Sequence, residues 1–190
     1  TGKQHRILRD SSIVMYGCAL RRFQLVELSS SCFEWDIGVE GEDKRSWCTI
    51  GRKGAKEDNP FERKVMSRHC VDLVREIVNR KKRDHSKLFS DFSVGMENLM
   101  KDINQTAAEV FKWPGEEDEL FHGTHNFRHG ASQDADIEGG IYWTMLHTGH
   151  MSEGIARGYA KRDAERGKSL RTVIGFAFEK LTANNIRIEA

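Results

Sequence analysis

The sequence predicts an α+β protein in which short strands flank a helical hairpin. Three observations carry this. Runs rich in β-branched and aromatic residues fill the first fifty positions, two stretches of helical period lie between residues 60 and 111, and short apolar runs return after Trp113-Pro114-Gly115.

In the N-terminal part, 12-SIVMY-16, 23-FQLVEL-28, 33-FEWDIGV-39 and 46-SWCTI-50 read as a β meander separated by Gly, Ser and charged residues. The polar segment 51-GRKGAKEDN-59 reads as a loop. Asn59 and Pro60 supply a cap and a first-turn proline, so a helix is expected from Pro60, with Phe61, Val65, Cys70, Leu73, Val74, Ile77 and Val78 on its apolar face. The cationic 80-RKKR-83 closes it at the negative end of the dipole. A second helix is expected over about 91–111, through Phe92, Met96, Leu99, Ile103, Ala107 and Val110.

Beyond the acidic 116-EEDE-119 the expected order is a strand at 120–122, a polar loop at 128–140, a strand at 141-IYWT-144, a helix from about Ser152 to Arg166, and strands at 171–178 and 185–188. The chain divides at this boundary into residues 1–114 and 115–190, read as one continuous globular unit.

Composition narrows the function classes. With 38% apolar residues, ten Phe and four Trp, the chain can bury a core. No apolar run approaches the roughly 18 residues of a membrane span, and the first 30 positions lack a signal-peptide pattern. Cys18, Cys32, Cys48 and Cys70 form no CxxC pair and read as reduced thiols, which points to a reducing compartment: a cytoplasm, or a host cytosol reached by delivery. Residues 115–190 carry 9 Lys and Arg against 12 Asp and Glu, and residues 1–114 carry 21 against 17. Neither part has the cationic excess of a dedicated nucleic-acid binder, which speaks against nucleic acid as the partner.

The order 120-LFHGT-124, 139-GGIYWT-144, 155-IARGYAKR-162 and 173-VIGFAF-178 resembles the core of the ADP-ribosyltransferase superfamily, over roughly residues 119–190. The resemblance implies a split mixed or antiparallel sheet and an NAD-dependent transferase, with NAD as substrate and a protein as acceptor. A bacterial effector or toxin is the context it suggests. It places His122 on the adenosine ribose, Gly123 against the nicotinamide carboxamide, Thr124 in support of that loop, Tyr142 as a stacking and catalytic residue, and Glu189, or else Glu179, as the catalytic carboxylate. Cleaving the nicotinamide–ribose bond builds positive charge on the sugar, which such a site must stabilise.

Two other readings remain at this point. One keeps the transferase-like fold without activity, as an interaction protein. The other is a zinc protein, because His122, His125, His129, His147 and His150 fall within 29 residues and include two His-x-x-His pairs. Neither pair has the helical HExxH pattern.

Overall fold

The computed structural model describes residues 2–38, 44–52, 60–81, 86–110 and 124–160. The architecture is α+β. In chain order it contains α1 (Gly2–Gly17), α2 (Arg22–Glu27), a single 3-10 turn (Ser30–Cys32), β1 (Phe33–Ile37), β2 (Arg45–Gly51), β3 (Phe61–Val65), α3 (Val71–Lys81), α4 (Val94–Val110), α5 (His125–Thr148) and α6 (Glu153–Ala160).

Helix α1 is the centre of the core. Ile7, Leu8, Ile13, Val14, Met15 and Tyr16 are all buried, so its C-terminal half is covered on every side by α2, α3, α4 and α5. This is the segment whose 12-SIVMY-16 run reads as a strand. A continuous apolar run carries no period, and full burial of a helix looks the same in sequence as full burial of a strand. The two serines inside it return their hydroxyls to the helix, Ser11 Oγ to Ile7 O at 2.6 Å and Ser12 Oγ to Leu8 O at 2.8 Å. Buried Asp10 is held by Arg80 Nη2 at 2.7 Å and Arg9 Nη2 at 3.1 Å. The run 23-FQLVEL-28 is likewise helical, as α2.

The sheet is small and antiparallel, in the order β1-β2-β3. Two of its strands, at 33–37 and 45–51, fall where the sequence places them. The third replaces the helix expected from Pro60: Cys48 pairs with Lys64 and Gly51 with Phe61, and Arg52 N–H donates to Pro60 O at 2.9 Å. In β3 the polarity is inverted. Glu62 and Lys64 point inward while Phe61 is exposed, so the strand's alternation is present but carried by charges. Helix α3 therefore starts later, at Val71, and buries Val74, Ile77 and Val78.

The largest departure is in the C-terminal part. Residues 128–140, expected as a loop, and 141–144, expected as a strand, all belong to α5. Ala131, Ser132 and Ala135 are buried at helical spacing. Gly139 and Gly140 break this helix, Gly140 with φ 72° and ψ −168°, so the Gly-Gly marks a kink instead of a strand entry. Helices α4 and α6 agree with expectation as far as they are described. The boundary at 113–115, the segment 116–123, and the strands expected at 171–178 and 185–188 lie outside the described residues. No helix among the described residues is long and apolar enough to cross a membrane.

Gly17 is where α1 and α3 come closest. A Cβ there would lie 2.8 Å from Cys70 Cβ and 3.1 Å from Val74 Cγ2, and Gly17 O also accepts the Ser67 N–H at 2.9 Å. Gly17→Ala should therefore lower the urea-unfolding free energy by about 1–3 kcal/mol through overpacking. An unchanged midpoint would contradict this packing.

Candidate phosphate-binding site

The turn from α1 to α2 sets the site's geometry. Cys18 and Ala19 close α1, and Ala19 has φ 47°, a left-handed conformation unusual for alanine. That turn leaves the Ala19 carbonyl to accept two cationic donors: Arg128 Nη1 at 2.6 Å and Lys64 Nζ at 2.9 Å. Arg21 follows immediately at the start of α2, with its backbone N–H donated to Gln24 Oε1 at 3.0 Å.

Lys64 is fully buried and all three of its N–H donors are used, on Ala19 O, on Gln24 Oε1 at 3.2 Å and on Glu62 Oε1 at 3.1 Å. Glu62 Oε1 also accepts from Gln24 Nε2 at 2.5 Å and Arg21 Nη1 at 3.4 Å. Burial and the Arg128 cation push Lys64 down to about 7, against the pull of Glu62. Burial would raise the Glu62 carboxyl, but Lys64, Gln24 and Arg21 outweigh it and hold it below the usual range.

Helix α5 supplies the second wall. His125 begins it and Arg128 stands one turn later on the same face. Arg128 is fully buried, and its Nη2 donates to His150 Nε2 at 2.9 Å. This assigns the His150 proton to Nδ1, which donates to Thr148 Oγ1 at 3.0 Å, while Thr148 passes its own hydrogen to Thr144 O at 2.7 Å. His150 follows Gly149, whose φ of 73° ends α5. Burial, with the cations Arg128, Arg21 and Lys64, pushes His150 down to about 4. Burial, Arg128 and Arg21 lower His125 in the same sense.

The result is a cluster of Arg21, Lys64, His125, Arg128 and His150 with one carboxylate, Glu62, among them. Arg21 and His125 are the more solvent-facing members, and Lys64, Arg128 and His150 lie beneath. Guanidinium forks and neutral imidazoles around a net positive centre suit a tetrahedral oxyanion.

The residues singled out in the sequence are distributed otherwise. Thr124 is buried just before α5 and donates to Glu97 Oε1 at 3.1 Å; Tyr142 is 70% exposed near the other end of that helix. His122, Gly123, Glu179 and Glu189 lie outside the described residues. Of the five clustered histidines, His125 and His150 join the oxyanion cluster, His147 turns to the sheet, and His129 packs edge-on against His125 with centroids 4.7 Å apart. Among the described residues no group of three or more His, Cys, Asp or Glu side chains has the arrangement of a metal site. The described cysteines are free, and all but Cys32 are buried. Arg21, Lys64 and Arg128 were not singled out; the available signal was His125-x-x-Arg128, an i, i+3 spacing on a helix.

No family model and no curated protein matches the sequence. Solved structures do. A XerH site-specific recombinase bound to palindromic difH substrate in a post-cleavage complex superposes with a TM-score of 0.57 at 14% identity, covering 90% of this chain and 47% of the recombinase. XerH in a pre-cleavage difH complex gives 0.55 at 15% identity, covering 84% and 44%, and XerA recombinase gives 0.51 at 13%, covering 90% and 62%. This chain thus has the fold of a portion of these recombinases and spans about half the length of the XerH chains.

That likeness overturns the ADP-ribosyltransferase resemblance, and with it the NAD-dependent transferase activity, its inactive variant as an interaction protein, and the toxin or effector context. The expectations of NAD as substrate and of a protein acceptor rested on that resemblance. The motif matches at 139–144 also lose their structural basis, because Gly139 and Gly140 form a kink and 141–144 are helical.

His147 provides a pH test of the packing under the site. Its Nδ1–H donates to Val65 O at 2.7 Å, and burial pushes its pKa from 6.5 to about 4. Between these values the unfolded chain binds the proton and the folded chain does not, so stability falls as pH drops from about 6.5 toward 4, by at most about 3 kcal/mol from this group. Urea unfolding of His147→Gln beside the unmodified chain should show a stability difference that shrinks across this window. A constant difference would contradict a neutral buried His147.

Proposed function

We propose that this chain is the catalytic portion of a DNA-cleaving and DNA-joining phosphoryl transferase of the site-specific recombinase kind. The observation that carries this reading is the grouping of Arg21, His125, Arg128 and His150 into one cationic cluster, in a fold shared with these recombinases. The XerH structures are described as pre- and post-cleavage complexes with their DNA substrate, so the partner proposed here is duplex DNA. This replaces the expectation drawn from bulk charge, which spoke against nucleic acid.

The chemistry follows from the residue types. A backbone phosphodiester is a monoanion, and attack at phosphorus builds further charge on its non-bridging oxygens. Arg21 and Arg128 can take these oxygens in forked contacts, with His150 and His125 completing the shell. For the nucleophile we propose Tyr159 from its place in the chain alone, nine residues beyond His150 in the last turn of α6, a helix that packs along α5. Its phenol gives up a proton to a base, the Oη–P bond forms, one P–O bond to deoxyribose breaks, and the leaving sugar oxygen takes a proton. The phosphotyrosyl ester conserves the phosphoester bond, so attack by a sugar hydroxyl rejoins a strand by the same route in reverse.

The test uses a pool of random-sequence duplexes, each carrying one nick so that the cleaved fragment diffuses away. The unmodified chain should give a protein–DNA adduct that survives denaturation, and mass spectrometry after nuclease digestion should place the nucleotide on the Tyr159 peptide. Tyr159→Phe should abolish the adduct, and Arg128→Lys should reduce its rate by roughly 100-fold or more. Absence of adduct from the unmodified chain, or equal yield from Tyr159→Phe, would overturn the reading.

A further inference from the structure

We propose that the buried Glu62 and Lys64 pair is a positioning clamp that holds Arg21, Arg128 and the His150 turn in one arrangement for a bound phosphate, without touching the phosphate itself. The inference rests on the phosphoryl-transfer reading of the site and assigns a role to two residues outside its oxyanion shell.

Both residues project inward from β3, two positions apart, with 4% and 0% exposure. Each wall of the site meets them. On the α1–α2 turn, Glu62 Oε1 accepts Arg21 Nη1 at 3.4 Å and Gln24 Nε2 at 2.5 Å. Lys64 Nζ and Arg128 Nη1 converge on the same Ala19 oxygen, at 2.9 and 2.6 Å, so the lysine fixes the acceptor that orients the arginine. On the α5–α6 turn, a Cβ at Gly149 would lie 3.0 Å from Glu62 Oε2 and 3.3 Å from Lys64 Cε. The residue before His150 therefore rests directly on the pair.

Stability alone does not account for charges in this place. A buried ion pair is often matched or exceeded in stability by apolar side chains of similar volume. What an apolar pair cannot do here is hold the Arg21 guanidinium or share the Ala19 carbonyl.

The experiment separates packing from positioning. Glu62→Leu combined with Lys64→Met is compared with each single change and with Arg21→Met, by urea unfolding and by titration with inorganic sulfate at constant ionic strength, followed by NMR. Each single variant should be less stable than the double, because it strands one buried charge. The double variant should unfold near the unmodified midpoint yet bind sulfate at least fivefold more weakly. Unmodified sulfate affinity in the stable double variant would overturn the clamp while leaving the oxyanion site intact. If Arg21→Met binds sulfate as the unmodified chain does, the oxyanion site fails and the clamp falls with it. Should the double variant not fold, Glu62→Gln carries the same comparison, with about threefold weaker binding expected and unchanged binding overturning the proposal.

Discussion

The carbonyl oxygen of Ala19 is the acceptor on which the rest of the site depends. It is turned into position by a left-handed φ of 47°, a conformation that costs an alanine on the order of 1 kcal/mol. In return it receives Lys64 from the sheet and Arg128 from α5, joining three parts of the chain separated by 45 and 109 positions. Two cations on one oxygen repel each other, and the depressed Lys64 records first its burial and then that repulsion. Glu62 offsets part of the charge but not all of it. The centre is left short of negative charge at a place where Arg21 and His125 meet solvent.

This constraint explains why β3 is inverted. A strand that contributed only packing would send Phe61 inward and Glu62 and Lys64 outward. Here the register, with Lys64 opposite Cys48, turns the charged set toward α2 and Ala19. A one-residue slip would exchange the two faces and remove every hydrogen bond that Lys64 makes. The one arginine on the other face of β3 finds different partners: Arg63 stacks over Trp47 at 4.4 Å and pairs with Glu34 at 2.9 Å.

Much of the fold was legible where polarity and period agree. Strand β2 alternates in the ordinary way, β1 does so up to Trp35 before an irregularity at Asp36 leaves Ile37 exposed, and α4 and α6 show helical spacing. The errors fall where these signals separate. In α1 the apolar run has no polar face, because the helix is enclosed. In β3 the buried face is charged, so the alternation points the wrong way. In α5 the dense Gly, Ser and Asp composition looks like a loop, yet Gly130, Ala131, Ser132 and Ala135 are buried in a helix that packs on α1. The site was less legible than the fold. His125 and His150 stand out in the sequence as histidines and read as candidate zinc ligands, whereas Arg21, Lys64 and Arg128 are three cations among thirty in a chain of net charge +1. Their concentration at one point is a tertiary fact. The short His-Gly-Thr match drew attention to the three residues before α5, one turn from the arginine that mattered.

The histidines show how such a centre responds to its ligand on the proposed reading. Burial first, and then the cations Arg128, Arg21 and Lys64, keep His150 neutral, with its Nε2 lone pair committed to Arg128. A phosphate entering between the guanidiniums brings negative charge against those cations, and this weakens the same field that depresses the imidazole. Anion binding and proton uptake by His150 are then linked, each favouring the other by the same free energy. If Arg128 Nη2 turns from His150 to the anion, the freed Nε2 can take a proton and donate to a non-bridging oxygen, which a neutral Nε2 acceptor cannot do. On the proposed reading the proton on His150 is therefore favoured by the anion and, without it, opposed by burial and by the charge of Arg128.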